Sequence, residues 1–212
     1  KLRQKKQITQ KRADYLLFKR ALDLFNNKEH LTKKGMDKIV AIKASINLGL
    51  NEELKLAFPD IVPVTRPLVE NTEIPHPEWM TGFITGEGCF FIKLGKNSKF
   101  NVGHQVQLEF VVGQHVRDKQ LINKFVTWFG CGKIDQNPTL TLVTYQVYKF
   151  SDIISKIIPY FKKYSLVGDK IKDFNYFCKV AEIMDKKGHL NPEGLEQISQ
   201  IKAGMNRKRI LD

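Results

Sequence analysis

Apolar positions follow two different periods along this chain. Over residues 11–26 they recur at helical spacing, with Leu17, Ala21, Leu24 and Phe25 on one side. A second helical stretch opens at Thr32, a good N-cap, and carries Met36, Ile39, Val40 and Ile46. Between residues 48 and 77 the periodicity fades. Pro59, Pro63, Pro67, Pro75 and Pro77 keep that stretch extended, which predicts a connection between two parts. A helix follows, running to Glu87 and ended by Gly88. From Cys89 the period changes to two. Strands are predicted at 89–94, 103–114, 133–136 and 140–149. Val106, Leu108, Phe110 and Val112 line one face of the second, and Gln105, Gln107, Glu109 and Val111 the other. A helix over 117–128, carrying Leu121, Ile122, Phe125 and Trp128 and closed by Gly130-Cys131-Gly132, separates the strand pairs. Helices at about 151–160 and 169–187 come next, before a last one. The order α-β-β-α-β-β-α, with two helices after it, predicts an α+β fold: a four-stranded antiparallel sheet with its helices on one face.

The two helices near the start recur near the end. Residues 170–206 align with 11–47 at a constant offset of 159 and without a gap. Asp14, Phe18, Lys28, His30, Leu31, Gly35, Ile39, Lys43, Ala44 and Asn47 meet Asp173, Phe177, Lys187, His189, Leu190, Gly194, Ile198, Lys202, Ala203 and Asn206. Two unrelated helical hairpins would share apolar spacing but not these polar identities, so the pattern reads as an internal duplication. Residues 1–47 then hold the closing helices of a first repeat, 48–77 the linker, and 78–212 a whole second repeat. The first repeat's own counterpart of the helix ending at Glu87 is expected upstream of Lys1, on the same polypeptide or a separate one. His30 and His189 have no second ligand beside them and are expected at helix–helix corners.

Charge narrows the class. Of the 212 residues, 35 are Lys or Arg and 22 are Asp or Glu, giving a net charge of +13. That balance suits a polyanion. DNA, RNA or an anionic membrane surface would each fit; no apolar run is long enough to span a bilayer, and a membrane is not the expected partner. Lys1, Arg3, Lys5, Lys6, Lys11 and Arg12 form either a solvated face or a phosphate-contacting arm. The 3 cysteines, Cys89, Cys131 and Cys178, are odd in number and far apart, which suggests neither a disulfide framework nor a zinc site.

The candidate chemistry lies in Trp79-Met80-Thr81-Gly82-Phe83-Ile84-Thr85-Gly86-Glu87-Gly88-Cys89-Phe90. Gly82 and Gly86, four apart, share one face of the helix and allow another backbone to approach closely. Glu87 falls in the last turn, where the helix dipole disfavours a carboxylate. A bound divalent cation would offset that; a solvated Glu at the end of a buried helix is the plainer reading. Downstream, the strand face opposite the core carries Cys89, Phe91 and Lys93; Gln105, Gln107, Glu109 and Val111; Lys133 and Asp135; and Leu142, Thr144, Gln146 and Tyr148. It is rich in groups that can read base edges from a major groove. Lys96, Asn97, Ser98, Lys99 and Asn101, in the first hairpin loop, suit phosphate or outer-base contacts.

Met80 to Gly88, continued by Cys89-Phe90-Phe91, resembles the LAGLIDADG motif of homing endonucleases, and the strand and helix order downstream fits that family. The likeness covers 79–206, with 8–50 as the tail of a first repeat. It is nearest to the monomeric two-repeat enzymes of fungal mitochondrial introns, which implies a mitochondrial location. The resemblance implies a repeat whose sheet forms a saddle on double-stranded DNA, with motif helices paired at its centre through Gly82 and Gly86. It implies Glu87 as metal ligand and catalytic acid, the Gly86 carbonyl as neighbouring ligand, Gln114 orienting water and Lys149 stabilising developing charge, with Arg117 a weaker candidate nearby. Mg²⁺ is the implied cofactor, with Mn²⁺ or Ca²⁺ able to take its place. Thr85 departs from the motif, which usually has an acid there. The implied function is a site-specific DNA endonuclease making double-strand breaks at a long asymmetric target. The partner acid is expected outside these residues, leaving the chain alone catalytically incomplete. Two alternatives stand beside it: a maturase binding group I intron RNA, and a non-catalytic DNA-binding remnant.

Overall fold

A computed structural model of the chain describes residues 8–69, 73–99, 102–137 and 139–205. The chain divides into two compact units, Lys1–Thr72 and Glu73–Asp212.

In the first unit, the helices Lys11–Asn26 and Lys33–Ala44 pack as a hairpin around Ala13, Leu17, Val40 and Ile42. Lys28 turns the chain in the left-handed region (φ 59°), a short 3₁₀ turn follows at Glu29–Leu31, and the Thr32 hydroxyl caps the second helix by accepting from the Gly35 amide at 3.0 Å. Two apolar positions expected inside are exposed: Phe25 at 47% and Met36 at 38%. The stretch expected to be extended also differs. Asn51 caps a helix at Glu52–Ala57, because Glu52 and Glu53 in its first turn suit the helix dipole. Beyond the helix the chain returns to the hairpin. The Ser45 hydroxyl donates to the Val64 carbonyl at 2.6 Å. Arg66 donates to the Asp14 carboxylate at 2.6 Å and to the carbonyls of Ser45 and Gln10. A guanidinium with three partners fixes a segment that apolar periodicity alone does not mark.

In the second unit, a helix at Pro77–Glu87 leads directly into a four-stranded antiparallel sheet of order β1-β2-β4-β3, with β1 Gly88–Lys96, β2 His104–His115, β3 Lys133–Gln136 and β4 Leu142–Val147. The helix Lys119–Phe129 joins the two strand pairs. A helical segment spans 150–163; its middle turn, Ile153–Ile157, widens to a π-helix just before Pro159, which lacks the amide a regular turn would use. All these helices lie on one side. The core between them and the sheet is aromatic: Phe90 stacks on Phe110 at 5.1 Å and meets Phe161, Phe174 and Phe177. Tyr145, fully buried, lies against Phe125 and Phe129 and donates to the Cys131 carbonyl at 3.0 Å.

The unit closes with Asp169–Asp185 and Pro192–Ala203, and here the duplication has a backbone counterpart. Lys187 repeats the left-handed turn of Lys28 (φ 60°), Gly188–Leu190 repeats the 3₁₀ turn, and Asn191 caps the last helix through the Gly194 amide at 2.8 Å. A Cβ at Gly35 would stand 1.9 Å from the Glu29 carbonyl oxygen, and one at Gly194 2.0 Å from that of Gly188, so both copies need glycine. His30 and His189 occupy matching turn positions, each with a buried Nδ1 that has no hydrogen-bond partner. Asn206, the last residue of the matched set, lies outside the described residues. The two hairpins differ in one respect. Phe174 and Phe177 are buried against Phe90 of the sheet, and Ala181 is buried beside the 150–163 segment, whereas their equivalents Tyr15, Phe18 and Leu22 are 50%, 62% and 47% exposed.

Candidate metal centre and nucleic-acid interface

The helix Pro77–Glu87 is built to deliver its last residue to a fixed place. Pro77 opens it, and the His76 Nδ1 accepts from the Trp79 amide at 3.1 Å. Met80, Thr81 and Ile84 are buried against the sheet, and Trp79 stacks on Phe83 at 5.2 Å. The Thr85 hydroxyl, where the motif usually has an acid, donates back to the Thr81 carbonyl at 2.9 Å. Helix passes to strand without a loop because Gly88 has no Cβ; one there would stand 2.5 Å from Ile84. Glu87 is therefore held rigidly at the start of β1, and it is exposed. Gly82 and Gly86 are exposed too, and a Cβ on either would meet nothing within 4 Å, which leaves a notched face open to another backbone.

Lys170 reaches this end from the helix Asp169–Asp185. Its ammonium donates to the Gly88 carbonyl at 2.5 Å, one residue from Glu87. Cys89 senses the same cluster: burial pushes its thiol up, Lys170 pulls it back, and Asp173 raises it again. Gln114 arrives at this end as well, because Gly88 pairs with Val112 and Gln114 lies two residues on, opposite Val143. Arg117 lies just past the end of β2, in the 3₁₀ turn Val116–Asp118. Lys149 does not join them. It lies two residues past Val147, which pairs with Phe110, so it is roughly 17 Å along the sheet from the Glu87 end and on the far side of β2. Lys170 was not among the candidates read from the sequence. The signal was available in the duplication, which aligns Lys170 with Lys11.

The donor set at Glu87 suits a hard cation. A carboxylate oxygen stands beside the backbone of the last helical turn, whose outer carbonyls have no partner within the helix. Among the described residues, no three His, Cys, Asp or Glu side chains gather to hold a metal. A site with so few protein ligands fits Mg²⁺, which keeps several waters and needs one or two carboxylates plus phosphate oxygens.

The sheet separates cleanly into two faces. Phe90, Ile92, Val106, Leu108, Phe110, Val112, Val143, Tyr145 and Val147 are buried under the helices. Cys89, Phe91, Lys93, Gln105, Gln107, Glu109, Val111, Lys133, Asp135, Leu142, Thr144, Gln146 and Tyr148 are all on the other face, partly or fully exposed. Strand pairing sets Cys89, Val111, Gln146 and Lys133 in one row across all four strands. Gly113 and His115 continue this face at the Glu87 end and were not singled out from the sequence; the alternation of β2 marks both. Phe91, Leu142 and Tyr148 remain 39%, 44% and 45% exposed, an apolar share that a solvated face would not favour. Several polar groups are already oriented: Lys93 on Glu109 at 2.7 Å, Asn97 on Gln105 at 3.1 Å, and the Lys133 ammonium over the Tyr148 ring at 5.1 Å. Ser98 and Lys99 are exposed in the adjoining loop, and Asn101 lies outside the described residues.

Comparison with known proteins gives a consistent set. Residues 80–181 match the family model described as LAGLIDADG endonuclease. The chain is 40% identical to the probable intron-encoded endonuclease 3 of Neurospora crassa, over 92% of this chain and 36% of that protein. It is 34% identical to the probable intron-encoded endonuclease 2 of the same organism, over 92% of this chain and 44% of that protein. It therefore spans about two-fifths of the length of these curated relatives. Among solved structures, the LAGLIDADG homing endonuclease I-SmaMI bound to cleaved DNA superposes with a TM-score of 0.91 at 47% identity, covering 96% of this chain and 68% of that one. Other structures of I-SmaMI include one bound to uncleaved DNA with calcium ions and lysine-to-alanine variants at two positions 159 residues apart.

Proposed function

Since this chain belongs to the LAGLIDADG endonuclease family, we propose that it works as a site-specific endonuclease, hydrolysing phosphodiesters in double-stranded DNA with a divalent cation held at Glu87. The observation that carries this is the pairing of an exposed carboxylate with a fixed ammonium: Glu87 at a glycine-notched helix end, and Lys170 on the adjoining Gly88 carbonyl.

Each residue has a task in that reaction. Glu87 and the Gly86 carbonyl hold the cation, for which Mg²⁺ is the natural occupant. When bound, the ion supplies an activated water and neutralises phosphate charge. Gln114, at the same end of β2, orients the attacking water. Lys170 faces the charge that develops on the phosphate, a role the family resemblance implied for Lys149. The 159-residue spacing of the two lysines altered in I-SmaMI, which equals the spacing of Lys11 and Lys170, supports this assignment. Lys149 falls to the backbone-contacting set, and the exposed sheet face reads the target.

The catalytic pair needs a second acid, and among the described residues one helix, Pro77–Glu87, ends in such an acid on a glycine-notched face. We infer that its partner packs on Gly82 and Gly86. The exposed apolar side of the first hairpin supports a second repeat as that partner: Tyr15 and Phe18 correspond to side chains that cover a sheet elsewhere in this chain, and exposed Leu22 corresponds to a buried Ala181. A mitochondrial intron as the source rests on the family resemblance and on relatives named as intron-encoded.

The test is Glu87→Gln, measured with the chain joined to a polypeptide carrying the other motif helix. Cleavage of the target should disappear while duplex binding stays within a few-fold. Retained cleavage, or loss of binding in parallel, would overturn the assignment. The chain by itself, with Mg²⁺ and target, should give no double-strand break.

A further inference from the structure

We propose that Lys93 reads a guanine in the DNA major groove rather than contacting phosphate, and that Glu109 is the positioning residue that makes it selective. The inference rests on the sheet face being the DNA-binding surface.

An isolated lysine is a flexible point charge, and on a DNA-binding face its default partner is phosphate. Lys93 is different. Its ammonium donates to Glu109 at 2.7 Å, across the diagonal of the β1–β2 pair. The lysine side chain is 60% exposed and the carboxylate only 15%. The exposed partner is thus the donor, and the covered partner is the counter-charge. Together they are neutral, so the pair gains little from displacing counterions and offers phosphate no net attraction. Two N–H donors of the ammonium stay available. The major-groove edge of guanine presents O6 and N7 as adjacent acceptors, a match that adenine and the pyrimidines lack.

The position follows from the strand. Lys93 lies six residues beyond Glu87, and strand and duplex both advance about 3.4 Å per unit, so the guanine is expected about six base pairs from the point of cleavage. Phe91 and Gln107 flank the pair on the same face and are positioned for the neighbouring steps.

The experiment uses the full chain and a random-sequence duplex library. Selected duplexes are then examined by dimethyl sulfate methylation interference, which reports contacts to guanine N7. The wild-type chain should enrich a G·C pair at one position and lose binding when that guanine is methylated. Replacing that pair with A·T should weaken wild-type binding about tenfold. Lys93→Met should abolish interference at that guanine alone, and the double variant Lys93→Met, Glu109→Gln, which replaces a neutral pair by two neutral side chains, should leave the salt dependence of binding unchanged. Glu109→Gln should free the ammonium for phosphate, raising affinity for unrelated duplex and steepening the log–log salt slope by about 0.9 while the guanine preference falls. If the double variant makes the salt slope shallower by that amount and leaves base preference intact, Lys93 is a phosphate contact and the proposal is wrong. Enrichment with no guanine sensitive to Lys93 also overturns it. Failure to enrich any sequence would instead count against the DNA-binding reading. Both changes are on an exposed face; unchanged circular dichroism and melting of each variant confirm that the readout is of recognition.

Discussion

Lys170→Ala separates the two lysines that compete for the charge-stabilising role. The wild-type ammonium is fixed on the Gly88 carbonyl at 2.5 Å, so a phosphate bound beside Glu87 comes within about 5–7 Å of it. A phosphodiester gains about one unit of negative charge on the way to the transition state. At an effective dielectric near 20, a unit charge at that distance is worth about 2.5–3 kcal/mol, which is roughly a hundredfold in rate. Removing one preorganised donor elsewhere costs a similar factor. Binding should change less than tenfold, because the sheet face supplies most contacts. Single-turnover cleavage at saturating protein, with the complementary motif helix supplied, gives the rate; filter binding gives the affinity. Lys149→Ala, as the comparison, should weaken binding and leave the saturated rate alone. The reasoning fails if Lys170→Ala weakens binding while the saturated rate holds, or if Lys149→Ala alone slows the chemistry.

Two further outcomes concern stability. Gly194→Ala drives a Cβ to 2.0 Å from the Gly188 carbonyl oxygen and should cost about 2–3 kcal/mol, lowering the melting temperature by roughly 5–10 °C; an unchanged melt would mean the turn relaxes freely. His189 is held below the ordinary histidine value of 6.5 by desolvation, so the unfolded chain takes up a proton more readily than the folded one. Its contribution is present above pH 6.5 and is lost as pH falls below it. Melts at pH 7.5 and 5.5 should differ less in His189→Gln than in the wild type.

Much of this protein is fixed locally, and local features are what a sequence displays. The glycine-notched helix, its end at Glu87, the period-two strands and the two polar-matched hairpins all depend on neighbours within a few residues. Each is therefore written in spacing, caps and alternation. The division of the sheet into a buried and an exposed face follows from the same alternation, which is why nearly every residue of the exposed face could be named in advance. The connection at 48–69 was less legible, because its order comes from Arg66 reaching Asp14, 52 positions away. The charge beside Glu87 was decided in three dimensions. Lys149 and Lys170 look alike in the sequence, since each is a lysine at the start of a helix. Only the antiparallel register sends one to the far end of the sheet, and only the packing of Asp169–Asp185 brings the other onto Gly88. A lysine's role depends on which charge lies within a few ångströms of it, and that distance is a property of the packed chain.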